Sequence, residues 1–90
     1  MSTRYKRHPD LRLTELEGEG VVLHLGSRRY FSVSETGLLI LNQLEQQRTE
    51  AELVDALIAE YEVDRPRAEQ SVRDFLAKCS DSKLLLTIDG

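Results

Sequence analysis

The stretch GSRRYFSVSETG, residues 26–37, contains a turn, a strand and the start of a helix. Its first two residues supply the turn, and residues 29–33 bring the aromatic and β-branched side chains that strands favour. Ser34 is a natural N-cap, because its hydroxyl can accept a hydrogen bond from the backbone of a helix that begins at the next residue. Gly37 lowers the stability of that helix by about 1 kcal/mol relative to alanine, which indicates close packing against the sheet.

Two further strands precede this stretch. Residues 11–17 and 20–25 are short and rich in β-formers, and the glycines between them favour a hairpin. The first of these strands loses its alternation at Glu15-Leu16, which predicts a bulge or an early end there.

Alternation of side chains along these strands predicts which face of the sheet is buried. We expect the inward face to consist of Leu23, Leu25, Phe31 and Val33. Tyr30 then lies on the opposite face.

Helices dominate the second half of the chain. Residues 49–52, with Thr49 followed by Glu52, form a capping box for a helix that runs to about Tyr61. Asp64 caps a third helix, which carries Pro66 in its first turn and continues to about Cys79. The apolar tail from Leu84 to Ile88 is expected to pack back on the body as a short strand.

The order of elements predicts an α+β fold that is winged helix-turn-helix-like, with a three-stranded antiparallel sheet followed by three helices. Residues 1–10 are expected to form a basic N-terminal arm, and residues 11–90 the domain itself. Ninety residues are enough for one core and not for two.

Charge and composition restrict the partners of this domain. The formal net charge is −4, and residues 35–64 alone carry −7, which would repel nucleic-acid phosphates. The longest apolar run, residues 38–41, is far too short to span a membrane. No apolar stretch follows the basic N-terminus, so we expect no secretory signal. The single cysteine, Cys79, suits the reducing cytoplasm.

Candidate catalytic residues are scarce. His8 and His24 are the only histidines, and no residue that could ligate a metal stands beside either at strand or helix spacing, so we expect both at the surface. Cys79 falls on the apolar stripe of the third helix, where a small core residue is expected rather than a nucleophile. No phosphate loop, dinucleotide motif or serine elbow is present. The sequence predicts no enzyme, no metal site and no cofactor.

An open sheet edge is the main functional feature that the residues themselves predict. The third strand, residues 29–33, carries no proline and no acidic residue that would prevent pairing. A peptide, drawn by Arg28 and Arg29 if it is acidic, could add there as a fourth strand. The alternative is that the C-terminal tail or a helix covers the edge. Two copies of the chain could also pair there, so a monomer or a weak homodimer is expected.

Winged-helix DNA binding is a second hypothesis. A recognition helix needs basic side chains on its exposed face. The third helix offers Arg65, Arg67, Arg73 and Lys78, interspersed with acidic residues.

Several of these segments together resemble one known family. Residues 26–37, the R-T-x-x-E-L pattern at 48–53 and the Glu-Tyr-Glu-Val-Asp run at 60–64 are similar in order and spacing to the PqqD family, the pyrroloquinoline quinone biosynthesis protein D group. The resemblance extends from about Leu11 to Leu86. It implies a RiPP recognition element, a non-catalytic module for ribosomally synthesised and post-translationally modified peptides.

In that family the leader segment of a precursor peptide adds as an antiparallel strand to the third strand and lies in a groove beside the third helix. Carried over by position, the resemblance implies leader-binding residues at Arg29, Tyr30, Phe31, Ser32, Val33, Val72, Arg73, Leu76 and Lys83.

The free-standing module is most similar to the discrete leader-binding proteins of lasso-peptide biosynthesis. Its implied partners are then the precursor leader, a leader peptidase and a cyclase, with no nucleic acid and no membrane. The alternative within the family is a true PqqD, a peptide chaperone of pyrroloquinoline quinone biosynthesis that hands its precursor to a radical enzyme.

Overall fold

The computed structural model describes residues 3–89. In chain order the elements are β1 (Thr3–Arg7), β2 (Leu11–Leu16), β3 (Glu19–His24), β4 (Arg29–Val33), α1 (Glu35–Gln43), β5 (Arg48–Thr49), α2 (Glu50–Glu60), α3 (Arg65–Asp81) and β6 (Leu85–Asp89).

The three predicted strands form an antiparallel sheet in the order β2-β3-β4, and the three predicted helices follow it. The α+β fold is therefore confirmed, while the winged helix-turn-helix description fits it only loosely. The turn between β2 and β3 is Glu17-Gly18, with φ of 51° and 83°. Two consecutive residues with positive φ are typical of a tight hairpin turn whose twist matches its strands.

Of the two outcomes predicted at Glu15-Leu16, the bulge is wrong, whereas the strand does end early, at Leu16 instead of residue 17. The register between β2 and β3 is continuous, ending with Glu15 opposite Gly20 and Leu16 opposite Glu19. Leu16 breaks the alternation because it points outward at the strand's end, where its side chain is 61% exposed.

The predicted buried face is correct for β4 and wrong for β3. Phe31 lies opposite Val22, which is fully buried, whereas Leu23 lies opposite Tyr30 on the outer face. Both alternating sets of β3 contain apolar residues. The core is filled by the set that includes His24, a residue that the sequence placed at the surface.

A second three-stranded sheet, in the order β5-β1-β6, was not foreseen. Its central strand, β1, lies within the basic segment that the sequence described as an arm. The charged sequence TRYKR has no strand-like hydrophobic pattern, but it forms a strand that pairs with β5 on one side and β6 on the other. The apolar tail does form a strand, and Lys6 of β1 faces Leu86 of β6. The tail thus pairs with β1 and leaves β4 uncovered.

The predicted helix caps are confirmed by hydrogen bonds. Ser34 Oγ accepts from the Gly37 amide at 3.2 Å, and Asp64 Oδ1 accepts from the Arg67 amide at 3.0 Å. In the capping box the Glu52 amide donates to Thr49 Oγ1 and the Thr49 amide donates to Glu52 Oε1. The third helix ends two residues beyond its predicted end, at Asp81.

One apolar core joins both sheets to the three helices. Its fully buried side chains come from α1, α2, α3 and β3 and include Val22, Ile40, Leu41, Leu44, Leu53, Val54, Val72 and Cys79.

Candidate functional site

The outer edge of β4 is unpaired within residues 3–89, because β4 has only β3 as a neighbour. The same sheet leaves the far edge of β2 unpaired. The two edges differ in what lies beside them, since only the edge of β4 borders a groove against α3.

This groove, called here the β4 groove, has a volume of about 550 Å³. One wall is the strand and its exit, from Phe31 to Ser34. The facing wall is α3, which contributes Phe75, Lys78 and Ser82. The groove therefore offers a strand edge for main-chain hydrogen bonds beside a partly apolar trough for side chains, the combination that peptide-binding sheet edges use.

Gly37 allows α1 to approach the helix and strand that form the groove. A Cβ at this position would lie 2.7 Å from Phe75 Cε1 and 3.3 Å from Val33 Cβ. Both distances are shorter than ordinary van der Waals contact. The close packing predicted at Gly37 is thus against the Phe75 ring of α3 as well as the sheet, and it sets the position of that ring in the groove.

Six of the nine residues that the resemblance implied do not line the β4 groove, and three of these six belong to α3. Val72 and Leu76 are 0% and 5% exposed and belong to the core, so neither side chain contributes to the lining of the groove. Arg73 is exposed but turned toward α2, where its Nε lies 3.8 Å from a carboxylate oxygen of Glu50.

The other implied residues are the five of β4, Arg29–Val33, and Lys83, which follows α3. Phe31, Ser32 and Val33 line the β4 groove. Tyr30 is 76% exposed on the outer face of the sheet. A fourth strand would place a peptide side chain beside it there, but the β4 groove does not extend to that face. Lys83 lies beyond the end of α3, away from the groove itself.

The sequence analysis missed the groove-facing stripe of α3. Phe75 and Lys78 of α3 and its C-cap Ser82 recur at intervals of three and four residues, the spacing of one helix face. That face borders the apolar stripe of the core, and Phe75 lies on the boundary between the two. The sequence signal for this face is a row of polar and aromatic residues at helical spacing, next to the apolar positions of α3.

A second cavity, called here the terminal cleft, continues from the β4 groove past Arg29. It has a volume of about 670 Å³, and Asp81 and Ser82 line both cavities. Arg29 and Lys83 line its walls. The two cavities therefore adjoin at Asp81 and Ser82, and together they are called here the channel along β4.

The two histidines meet in the terminal cleft, so the prediction that they stand apart at the surface is wrong. Their ring centroids are 4.6 Å apart, and His24 is only 7% exposed. The Nδ1 of His8 accepts from the Asp10 amide at 3.0 Å, and the Nδ1 of His24 accepts from the Ser27 amide at 3.3 Å. Each neutral ring therefore carries its proton on Nε2. A sequence separation of sixteen residues hid this pair.

Cys79 lies in the core at the base of the groove. Burial raises the pKa of its thiol to about 12, so the sulfur stays protonated and is a poor nucleophile. Within the described chain no cluster of three or more His, Cys, Asp or Glu side chains is placed to hold a metal ion. No described helix is both long enough and apolar enough to cross a membrane.

Solved structures with the same fold include leader-peptide complexes. The chain is similar to TbiB1 in complex with the TbiA(beta) leader peptide, with 38% identity and a TM-score of 0.76 over 89% of this chain and 93% of that one. A lasso peptide synthetase B1 complexed with the leader peptide is 23% identical, with a TM-score of 0.75 and coverage of 91% and 96%.

The PqqD truncation of Methylobacterium extorquens PqqCD, described as a stand-alone RiPP recognition element, shares the fold at 19% identity. Its TM-score is 0.77, and 92% of this chain and 88% of that chain are covered. Curated protein sequences gave no match. The model of the family Coenzyme PQQ synthesis protein D (PqqD) matches residues 19–85, and the chain belongs to this family.

Proposed function

We propose that this protein binds the leader segment of a ribosomally synthesised precursor peptide by β-strand addition to β4 and presents it to a leader peptidase and a cyclase in lasso-peptide biosynthesis. The observation that carries the proposal is the unpaired edge of β4 beside the β4 groove. The 38% identity to a protein solved with a leader peptide supports it.

The open edge supplies a row of backbone donors and acceptors over the five residues of β4. A leader strand that pairs with them places alternate side chains into the β4 groove, where Phe75 and Val33 provide apolar contact. The remaining side chains lie on the outer face next to Tyr30. A site of this size fits a Kd near micromolar, about −8 kcal/mol.

The role that we propose is recognition without catalysis. The thiol of Cys79 is buried and protonated, and the histidine pair has no nucleophile or carboxylate hydrogen-bonded to it. The chemical steps then belong to separate enzymes to which the bound precursor is delivered.

A PqqD-type chaperone role in pyrroloquinoline quinone biosynthesis is the second candidate, favoured by the family match over residues 19–85. The two roles share the leader site and differ in the enzymes that receive the peptide. A gene neighbourhood with a peptidase and an asparagine-synthetase-like cyclase supports the lasso role, and one with a radical enzyme supports the chaperone role.

DNA binding has less support in the structure. Arg65 and Arg73, two of the basic residues of α3, lie near Asp55 and Glu50 of α2 at 2.7 and 3.8 Å. Charges paired in this way contribute little to phosphate binding.

Fluorescence anisotropy of a dye-labelled TbiA(beta) leader peptide tests the proposal. The native chain should bind it with a Kd near micromolar, and Phe75→Ala should weaken binding severalfold. Glu69→Ala, on the same helix and outside the groove lining, is the matched control and should bind as the native chain does. Equal binding of a scrambled peptide, or no effect of Phe75→Ala on a folded protein, would contradict the proposal.

A further inference from the structure

The channel along β4 has a charge pattern opposite to that of the protein as a whole. The chain carries a net charge of −4. The basic side chains Arg29, Lys78 and Lys83 line the two cavities, whereas Asp81 is the one carboxylate in their described lining. The salt bridges of the described residues involve none of these four side chains. The basic groups are therefore free to receive an anionic ligand.

The terminal cleft adds neutral donors to these cations. Because both Nδ1 atoms accept backbone amides, His8 and His24 each have an Nε2–H that makes no hydrogen bond within the described chain. The lining of the cleft therefore includes the guanidinium of Arg29, the ammonium of Lys83 and the two histidine rings. Asp10, whose Oδ2 lies near Gly26 behind His24, and Asp81 are the acidic groups facing this cluster. A carboxylate is the peptide group best matched to such a set of donors.

Strand direction determines which part of a bound peptide reaches the terminal cleft. Every pair in the β2-β3-β4 sheet is antiparallel, and a strand added to such a sheet most often continues this pattern. An antiparallel peptide runs from the Val33 end of β4 toward the Arg29 end. The residues that follow its paired segment then enter the terminal cleft.

We propose that the terminal cleft is a subsite for an acidic side chain, Asp or Glu, located in the leader just C-terminal to the segment that pairs with β4. This inference rests on the proposed leader binding and extends it to the chemistry of the flanking residue. The subsite would give the protein a means of selecting its own precursor among leaders that share the same strand-forming segment.

Selection from a random library tests the subsite without a known precursor. Displayed random peptides of 24 residues are selected on the native chain, and backbone amide exchange identifies those that protect amides in β4. We expect Asp and Glu to be enriched within the few residues after the paired segment. Replacing that residue with Lys in a selected peptide should weaken binding by about tenfold at low salt, and less at high salt.

Charge reversal in the protein provides the complementary test. Lys83→Glu should weaken the binding of the acidic peptides by about three- to tenfold and should restore the binding of the Lys-substituted peptides. Arg67→Glu makes the same change of charge at the far end of α3 and is the matched control, expected to alter binding by less than twofold. Thermal unfolding of both variants confirms that they are folded.

The outcomes separate this inference from the proposed function. Selected peptides that protect β4 but show no acidic enrichment after the paired segment, with Lys83→Glu behaving like Arg67→Glu, overturn the subsite and leave strand addition intact. Acidic enrichment before the paired segment also overturns it. A selection that yields no peptide protecting β4 overturns strand addition itself.

Discussion

Substituting alanine for Gly37 tests how the groove is built. The new Cβ would lie 2.7 Å from Phe75 Cε1, a distance that real Cβ atoms essentially never show, and a tight 3.1 Å from Cζ, so the ring has to move. Alanine gains about 1 kcal/mol of helix stability over glycine. Overpacking of this kind typically costs about 1–3 kcal/mol. We therefore expect a net loss of about 1 kcal/mol in the free energy of unfolding, which lowers Tm by roughly 4–8 °C.

The same substitution should impair peptide binding, because the half-buried Phe75 ring lines the β4 groove and its displacement changes the apolar wall of the groove. We expect roughly a fivefold rise in the Kd for the TbiA(beta) leader peptide, about 1 kcal/mol. Phe75→Leu removes the ring atoms that clash, so Gly37→Ala in that background should raise stability instead of lowering it. Urea denaturation of the four proteins of this cycle measures the coupling. A stability effect of Gly37→Ala that is the same in the native and the Phe75→Leu backgrounds would refute the reasoning.

Four further predictions concern the two residues of the capping box, the thiol and the outer face. Thr49→Ala should cost about 1 kcal/mol in urea denaturation by removing the N-cap of α2, and a loss below a few tenths would contradict the capping box. The pKa of Glu52 is held below 4.5, first by the hydrogen bond from the Thr49 amide. Its contribution to stability is therefore present above pH 4.5 and lost as the pH falls through the lowered pKa; Glu52→Gln should flatten the pH profile of stability there, and a profile identical to that of the native chain would count against this assignment. Cys79 should resist thiol reagents at pH 8 in the folded protein and react on unfolding, so rapid labelling of the native state would disprove its burial. Tyr30→Ala should change stability by less than about 0.5 kcal/mol and leader affinity by no more than about 1 kcal/mol, less than Phe75→Ala; the reverse order of affinities would place the apolar contacts on the outer face.

Local signals in the sequence were sufficient for much of this fold. Ser34, Thr49 and Asp64 each satisfy helix amides within their own turn, so the helix starts could be predicted from neighbours in sequence. The hairpin and β4 were equally local. The second sheet was not predictable in this way, because both strands that pair with β1 lie 40 or more residues away in the chain.

The parts of the candidate site that depend on neighbours in sequence were also predicted, and the parts that depend on distant contacts were not. The edge of β4 follows from one strand and was predicted from residues 29–33. The opposite wall depends on the orientation of α3 about its own axis against the core. Val72 and Leu76 are buried, whereas Phe75 and Lys78, on the adjacent face of the same helix, line the groove. The histidine pair joins the loop after β1 to the end of β3, two segments that meet only in the folded chain.

Amide hydrogen exchange of residues 29–33, measured by NMR with and without the TbiA(beta) leader peptide, tests the central claim most directly. Antiparallel pairing points successive amides of β4 alternately toward β3 and toward the open edge. In the free protein the edge-facing amides should exchange fast and those facing β3 slowly. Saturating peptide should slow the edge-facing amides by at least tenfold, with little change at β2. Edge-facing amides that are already protected in the free protein, or that stay unprotected in the complex, would contradict the account.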